Sequence, residues 1–149
     1  MLEVLTNAHP KIANYPFTTL EPNLGVMDRL ILADIPGLIE GASQGKGLGI
    51  RFLNHIERTK ILVHCIDVST KDPYKDYETI RMELQNFNQN LLSKKEIILI
   101  TKSDLISEEN VKKFLTLFKK KKKEALPISI YNVESLNVLK EKIKELINS

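Results

Sequence analysis

Residues 28–59, DRLILADIPGLIEGASQGKGLGIRFLNHIERT, decide the fold. Residues 30–33 are apolar and run into the carboxylate of Asp34, and a glycine, Gly37, follows three residues later. A short apolar run bounded by turn residues reads as a buried strand. Beyond it come five glycines (37, 41, 45, 47 and 49), which read as a mobile loop leading into a helix around residues 50–58. A carboxylate at a strand end can hold Mg²⁺ through the ion's water shell. The glycine of Asp34-Ile35-Pro36-Gly37 lets a backbone N–H approach a terminal phosphate. Taken alone, the same four residues read more readily as a turn after a strand.

Working outward, residues 1–7 read as the end of a helix. Residues 10–22 are loop-like, with Pro10, Pro16 and Pro22, and residues 23–27 form a short strand. Downstream, residues 61–67 (ILVHCID) are an apolar strand ending in Asp67. Asp76 is expected to cap a helix carrying Tyr77, Ile80, Leu84, Phe87 and Leu91 at helical spacing. Residues 97–100 form a strand. Ser107 caps the next helix, with Glu108 and Glu109 in its first turn and Val111, Phe114, Leu115 and Phe118 on one face. Residues 126–130 are the last strand, and the last helix carries Leu136, Leu139, Ile143, Leu146 and Ile147 on one stripe. Strands alternating with helices predict an α/β fold with a mostly parallel sheet covered on both faces. Ligands of such sheets bind beyond the carboxyl ends of the strands. Asp34, Asp67, residues 101–104 and Ser129 are all expected there.

The second motif is Thr101-Lys102-Ser103-Asp104, at the end of the apolar run EIILI. A carboxylate can accept both N1–H and N2–H of guanine, a pair of donors that adenine lacks. The lysine stem can cover the face of the base. On its own this too is an ordinary polar loop. Two weak motifs in this order, each at the end of a buried strand, favour one guanine nucleotide gripped at both ends. A third segment, Tyr15-Pro16-Phe17-Thr18-Thr19-Leu20, offers a threonine hydroxyl that can ligate Mg²⁺ when a γ-phosphate is present and release it afterwards. Taken alone, it reads as a turn or capping threonine. Ser129 would add a backbone contact to the base.

Composition narrows the class. The chain has 149 residues, 42% hydrophobic and 28% charged with no tryptophan, which suits one soluble globular domain. Its apolar runs are strand-length, so no membrane-spanning helix is expected, and the first residues do not read as a signal peptide. The single Cys65 excludes an internal disulfide framework, reads as a core residue, and fits a reducing cytoplasm. His9, His55 and His64 show no metal-binding spacing. The net charge is +3, but Lys119, Lys120, Lys121, Lys122 and Lys123 are consecutive, so the rest of the chain is net negative. No DNA partner follows from such a distribution. The lysine run reads first as a solvated helix end, and second as a contact to an RNA backbone.

The run NAHPKIANYPFTTLEPNLGV, the run ADIPGLIEGASQGKGLGIRFLNHIERTKILVHCID and the segment DPYKDYETIRMEL closely resemble the GTPase domain of the Obg family. The resemblance covers essentially all 149 residues and is densest over residues 7–67. It implies a Ras-like G domain of the P-loop NTPase class, Mg²⁺-dependent hydrolysis of GTP to GDP, and a switch acting on the large ribosomal subunit and its rRNA. Residue by residue, it implies that Phe17, Thr18, Thr19, Leu20 and Glu21 form the first switch, with Thr19 on Mg²⁺. Asp34, Ile35, Pro36 and Gly37 would sense the γ-phosphate, with Asp34 reaching Mg²⁺ through water. Thr101, Lys102, Ser103 and Asp104 would read guanine, and Ser129, Ile130 and Tyr131 would form the last guanine loop. The chain departs from the pattern in placing Thr101 where Asn is usual and Ile130-Tyr131 where small residues are usual. Leu38 stands where many GTPases hold a water-orienting glutamine, so no side chain is nominated as a catalytic base.

The family places G-x-x-N-A-G-K-[ST] just ahead of the helix matched by residues 1–5. The expectation is therefore a partial G domain over residues 1–149, without its first strand and phosphate loop. That loop supplies about four to six charge-assisted bonds at ~1.5–3 kcal/mol each. Its loss is expected to weaken nucleotide binding by about 10⁴-fold or more, and to leave unpaired strand edges that promote aggregation. The alternative is a non-hydrolysing fragment or interaction module that keeps a ribosome-docking surface without binding nucleotide.

Overall fold

A computed structural model of the chain describes residues 1–6, 11–12, 23–34 and 56–149. They divide into two compact units, Met1–Arg58 and Thr59–Ser149.

In the first unit, helix α1 (Leu2–Thr6) packs on a three-stranded sheet of β1 (Lys11–Ile12), β2 (Asn23–Met27) and β3 (Leu30–Asp34). The order is β1-β2-β3 and both pairings are antiparallel. β2 and β3 have the bounds expected from the apolar pattern. They are joined by a two-residue turn in which Asp28 (φ 47°) and Arg29 (φ 72°) are both left-handed. Two consecutive positive φ values mark the mirror-image turn whose twist matches that of the flanking strands. β3 differs from its expectation of burial: Ile31 is 70% exposed and Asp34 is exposed as well. The sheet order accounts for this, since β3 is at an edge and its described partner lies on one side only. The glycine-rich loop and most of the helix expected after it lie outside the described residues; residues 56–57 are helical.

The second unit carries a parallel sheet, order β4-β5-β6, of β4 (Ile61–Asp67), β5 (Lys95–Thr101) and β6 (Ala125–Pro127). Its helices are α2 (Pro73–Phe87), α3 (Glu108–Lys120) and α4 (Val133–Asn148). α2 starts earlier than the sequence suggested. Asp72, not Asp76, is its cap and accepts from Lys75 N, because Pro73 fits the first helical position. Asn88 ends α2, so Leu91 lies in a following 3₁₀ turn (Gln89–Ser93) and not on the helix. Ser107 caps α3 as expected, accepting from Asn110 N. The last strand is shorter than residues 126–130: regular pairing ends at Pro127, after which Ile128 N still reaches Ile100 O at 2.9 Å.

Alternation along the strands builds the core. Ile66, Ile98 and Ile100 share one face with Val68, Tyr77 and Phe118, and Tyr74 and Leu115 close over them. The Tyr74 and Tyr77 rings meet Phe118 edge-on at 5.2 and 5.6 Å. Truncating the fully buried Phe118 costs about 3–5 kcal/mol by the usual cavity argument. Ile97 and Leu99 point to the opposite face; both are buried, as are Leu136, Leu139 and Ile143 on the stripe of α4. Cys65 is exposed on β4, not in the core, as befits the edge strand of this sheet. Among the described residues, no helix is long and apolar enough to cross a membrane.

Candidate nucleotide site

Parallel pairing places the ends of β4, β5 and β6 side by side, with Asp67 opposite Thr101. The two strand ends are tied together twice. Thr101 Oγ1 donates to Ile66 O at 3.0 Å, and Val68 N donates to Thr101 O at 3.2 Å. Thr101 therefore uses its hydroxyl within the sheet, a structural job open to it where an asparagine amide is usual in the family.

Lys102 leaves the strand in a left-handed conformation, φ 58°, which throws the next residues into the short turn Ser103–Leu105. Leu105 N closes that turn on Lys102 O at 3.0 Å. Asp104 lies on the turn, exposed, where a carboxylate can meet two donors of a base. Ser103 N donates to Ile128 O at 3.2 Å, which brings residues 101–104 against the segment holding Ser129, Ile130 and Tyr131.

That segment is a built turn. Ser129 is buried; its Oγ accepts from Tyr131 N at 3.1 Å, and its carbonyl accepts from Asn132 N at 3.2 Å. Ser135 Oγ donates to Ser129 O and Asn132 O at 3.3 and 2.8 Å. The serine side chain is thus committed to shaping the loop, while Ile130 and Tyr131 are exposed beside it. Ser135 was not singled out in the sequence; its only signal is its place in the first turn of an N-capped helix.

The sequence also left Asp67 without a partner. Its Oδ2 forms a close ion pair with Lys102 Nζ, and its Oδ1 accepts from Ser69 N at 2.8 Å and Ser69 Oγ at 2.6 Å. The lysine and then the serine hold the Asp67 carboxyl down to about 2. Lys102 is thereby anchored at its tip.

The remaining candidates belong to the first unit or lie outside the described residues. Asp34 closes β3 in the first unit. Ile35, Pro36 and Gly37, and the whole stretch Phe17, Thr18, Thr19, Leu20 and Glu21, lie outside the described residues. Among the described residues no three His, Cys, Asp or Glu side chains gather as a metal-binding group. An exposed strand-end carboxylate such as Asp34 fits a Mg²⁺ ion held through its waters, because that mode asks for one protein oxygen and room for a hydration shell.

A family model described as a 50S ribosome-binding GTPase matches residues 1–103. The chain is 48% identical to the GTPase Obg of Pelagibacter ubique, over 99% of this chain and 47% of that protein. It is 47% identical to the GTPase Obg of Finegoldia magna, over 100% of this chain and 37% of that protein. It therefore spans less than half the length of these curated relatives. Among solved structures it is similar to the translation elongation factor SelB of Methanococcus maripaludis, in complex with the GTP analogue GppNHp. The TM-score is 0.65 and the identity 20%, over 99% of this chain and 30% of that one. At that identity the likeness speaks for the fold, which is the α/β fold of GTPases. The chain belongs to the 50S ribosome-binding GTPase family, and its relatives along nearly all of its length are Obg GTPases.

Proposed function

We propose that this chain is the guanine-nucleotide-binding part of a cytoplasmic switch that hydrolyses GTP to GDP with Mg²⁺ and acts on the large ribosomal subunit. The observation that carries the reading is the edge formed by residues 101–104 and 129–131, joined by the 3.2 Å bond from Ser103 N to Ile128 O. In this reading Asp104 accepts the two guanine donors, Lys102 covers the base, and the Ser129 turn backs it with main-chain groups. Asp34 and Gly37 sense the γ-phosphate, and Thr19 with Asp34, the latter through water, holds Mg²⁺. Bound Mg²⁺ would neutralise charge developing on the transferred phosphoryl group. Phe17 to Glu21 form the first switch around Thr19. The family description supports the ribosomal partner.

The test is a titration with fluorescent GDP, ADP and xanthosine diphosphate. Asp104→Asn exchanges an acceptor pair for a mixed donor and acceptor. It should lose about 10²-fold or more for GDP and gain for xanthosine diphosphate, whose 2-oxo group accepts. Equal binding of GDP and ADP, or an unchanged base preference in D104N, would overturn the reading.

A further inference from the structure

The carboxyl edge of the parallel sheet is the proposed base site; its amino edge has a different character. The pairing Ile61↔Lys95 sets Lys60, Lys94 and Lys95 together at the amino ends of β4 and β5, and the run Lys119–Lys123 leads through Glu124 into the amino end of β6, whose Ala125 pairs with Ile98. α3 connects β5 to its parallel neighbour β6 and so returns to the same amino edge. Its last turn delivers Lys119 and Lys120 there, about 20 Å along the helix from the base site. The phosphates of a nucleotide at the carboxyl edge are therefore not what these lysines meet.

Two details distinguish this array from an ordinary solvated helix end. The first is backbone conformation. Lys122 N donates to Lys119 O at 2.9 Å and Lys123 N to Phe118 O at 3.0 Å, with Lys122 left-handed at φ 57°. Those paired bonds form a C-terminal cap whose left-handed position is normally glycine. A side chain there is strained relative to glycine. Stability alone does not select lysine at this position. The second is anchoring. Lys123 Nζ is 3.8 Å from Glu96 Oε2 and lies over the Tyr77 ring at 5.8 Å; Lys121 Nζ lies over the Tyr74 ring at 5.4 Å. Two lysines pin the turn, and Lys119, Lys120 and Lys122 stand exposed on it.

The chemistry of the partner follows from what surrounds them. On α3, Glu109, Asn110, Lys112, Lys113 and Thr116 are exposed and polar, while Phe118 is fully buried. A helix that lies in a membrane surface needs an apolar face to insert, and the apolar face of α3 is used in the core. Several exposed cations carried on one backbone-fixed turn suit a polyanion that presents a row of phosphates. We infer that the amino edge of this sheet, centred on Lys119, Lys120 and Lys122, docks the phosphate backbone of helical RNA. The choice of RNA rests on the proposed ribosomal role; the location of the surface does not depend on nucleotide binding.

The test is fluorescence anisotropy of the full chain with a labelled 16-base-pair RNA duplex between 50 and 200 mM KCl. Log affinity should fall with log salt at a slope near −3, about one phosphate per exposed lysine. The variant K119E/K120E/K122E should bind at least about tenfold more weakly and lose most of that slope. K122G should melt at a higher temperature yet bind RNA more weakly, a pairing that a merely structural lysine would not produce. Absence of salt-dependent RNA binding at 50 mM KCl, or unchanged binding by the triple variant, would overturn the inference. Binding of phosphatidylserine vesicles or of a DNA duplex as tightly as RNA would overturn the choice of partner. GDP affinity measured on the same samples keeps the outcomes apart: its loss bears on the base site and not on this surface.

Discussion

Asp67 and Lys102, on neighbouring strand ends, are joined by an ion pair, and the same carboxylate is bound by Ser69 through both its amide and its hydroxyl. The lysine expected to cover a base is therefore held by a carboxylate one strand away. Three donors converge on Asp67, and they explain why its carboxyl is held near 2 against an ordinary value of 3.8.

A depressed carboxyl pKa stabilises the folded state above the unfolded value and ceases to do so as pH falls through the folded one. For Asp67 that window lies between about 4 and about 2. In Asp67→Asn this part of the acid sensitivity should disappear. Because the pair is partly exposed, the difference at neutral pH should be no more than about 1 kcal/mol. Urea melts of both proteins from pH 6 to pH 2.5 check this; parallel curves for the two proteins would contradict the assignment.

Local signals made the strands legible. Residues 23–27, 30–34 and 61–67 became β2, β3 and β4 because each is an apolar run stopped by a turn residue or a carboxylate. The carboxyl-edge position of Asp67, Thr101 and Ser129 followed from the alternation of strands and helices. Their partners were not legible. Lys102 meets Asp67 only through the parallel register of β4 and β5, and Ser135 meets Ser129 only through the bend after β6. Lys121 and Lys123 read as solvated charge because nothing local announces Tyr74, Tyr77 and Glu96 beneath them.

Glu96 gives a second prediction. Its nearly buried carboxylate accepts from Tyr77 OH at 3.1 Å and lies 3.4 Å from both His64 Nδ1 and Arg81 Nη1. Burial pushes the acid up, but the His64 contact and the Arg81 charge outweigh it and leave it lowered. Arg81 Nη1 is buried and makes no hydrogen bond, so the nearby carboxylate is what balances its charge. Glu96→Ala should destabilise by about 3–5 kcal/mol, the cost of stranding a buried charge. R81M/E96L removes both charges and should recover most of that loss. Chemical unfolding of the three proteins reads the difference; a double variant no better than E96A would argue against the pair.

The hairpin between β2 and β3 supplies the third. Arg29 holds φ 72° in a turn whose favoured residue is glycine. Arg29→Gly removes the Cβ strain, less the added freedom of the unfolded chain, for a net gain of about 0.5–1 kcal/mol. Amide hydrogen exchange along β2 and β3 should slow correspondingly; faster exchange in R29G would show that the arginine makes a contact worth more than the strain.

The last prediction concerns the approach of α1 to β2. A Cβ at Gly25 would meet Thr6 Cγ2 at 2.5 Å and Thr6 Oγ1 at 3.0 Å. The threonine cannot swing away freely: it is nearly buried, β-branched, and its hydroxyl donates to Leu2 O at 2.9 Å. Gly25→Ala should therefore force the helix off the strand and destabilise by about 1–3 kcal/mol. Thr6→Ala alone loses one hydrogen bond and a methyl contact, about 1 kcal/mol. If the two side chains share one space, T6A/G25A should be more stable than the sum of the single losses by more than about 0.5 kcal/mol. Thermal melts of the four proteins close the cycle. Strict additivity would mean that the glycine is needed for its backbone and not for the room it leaves to Thr6.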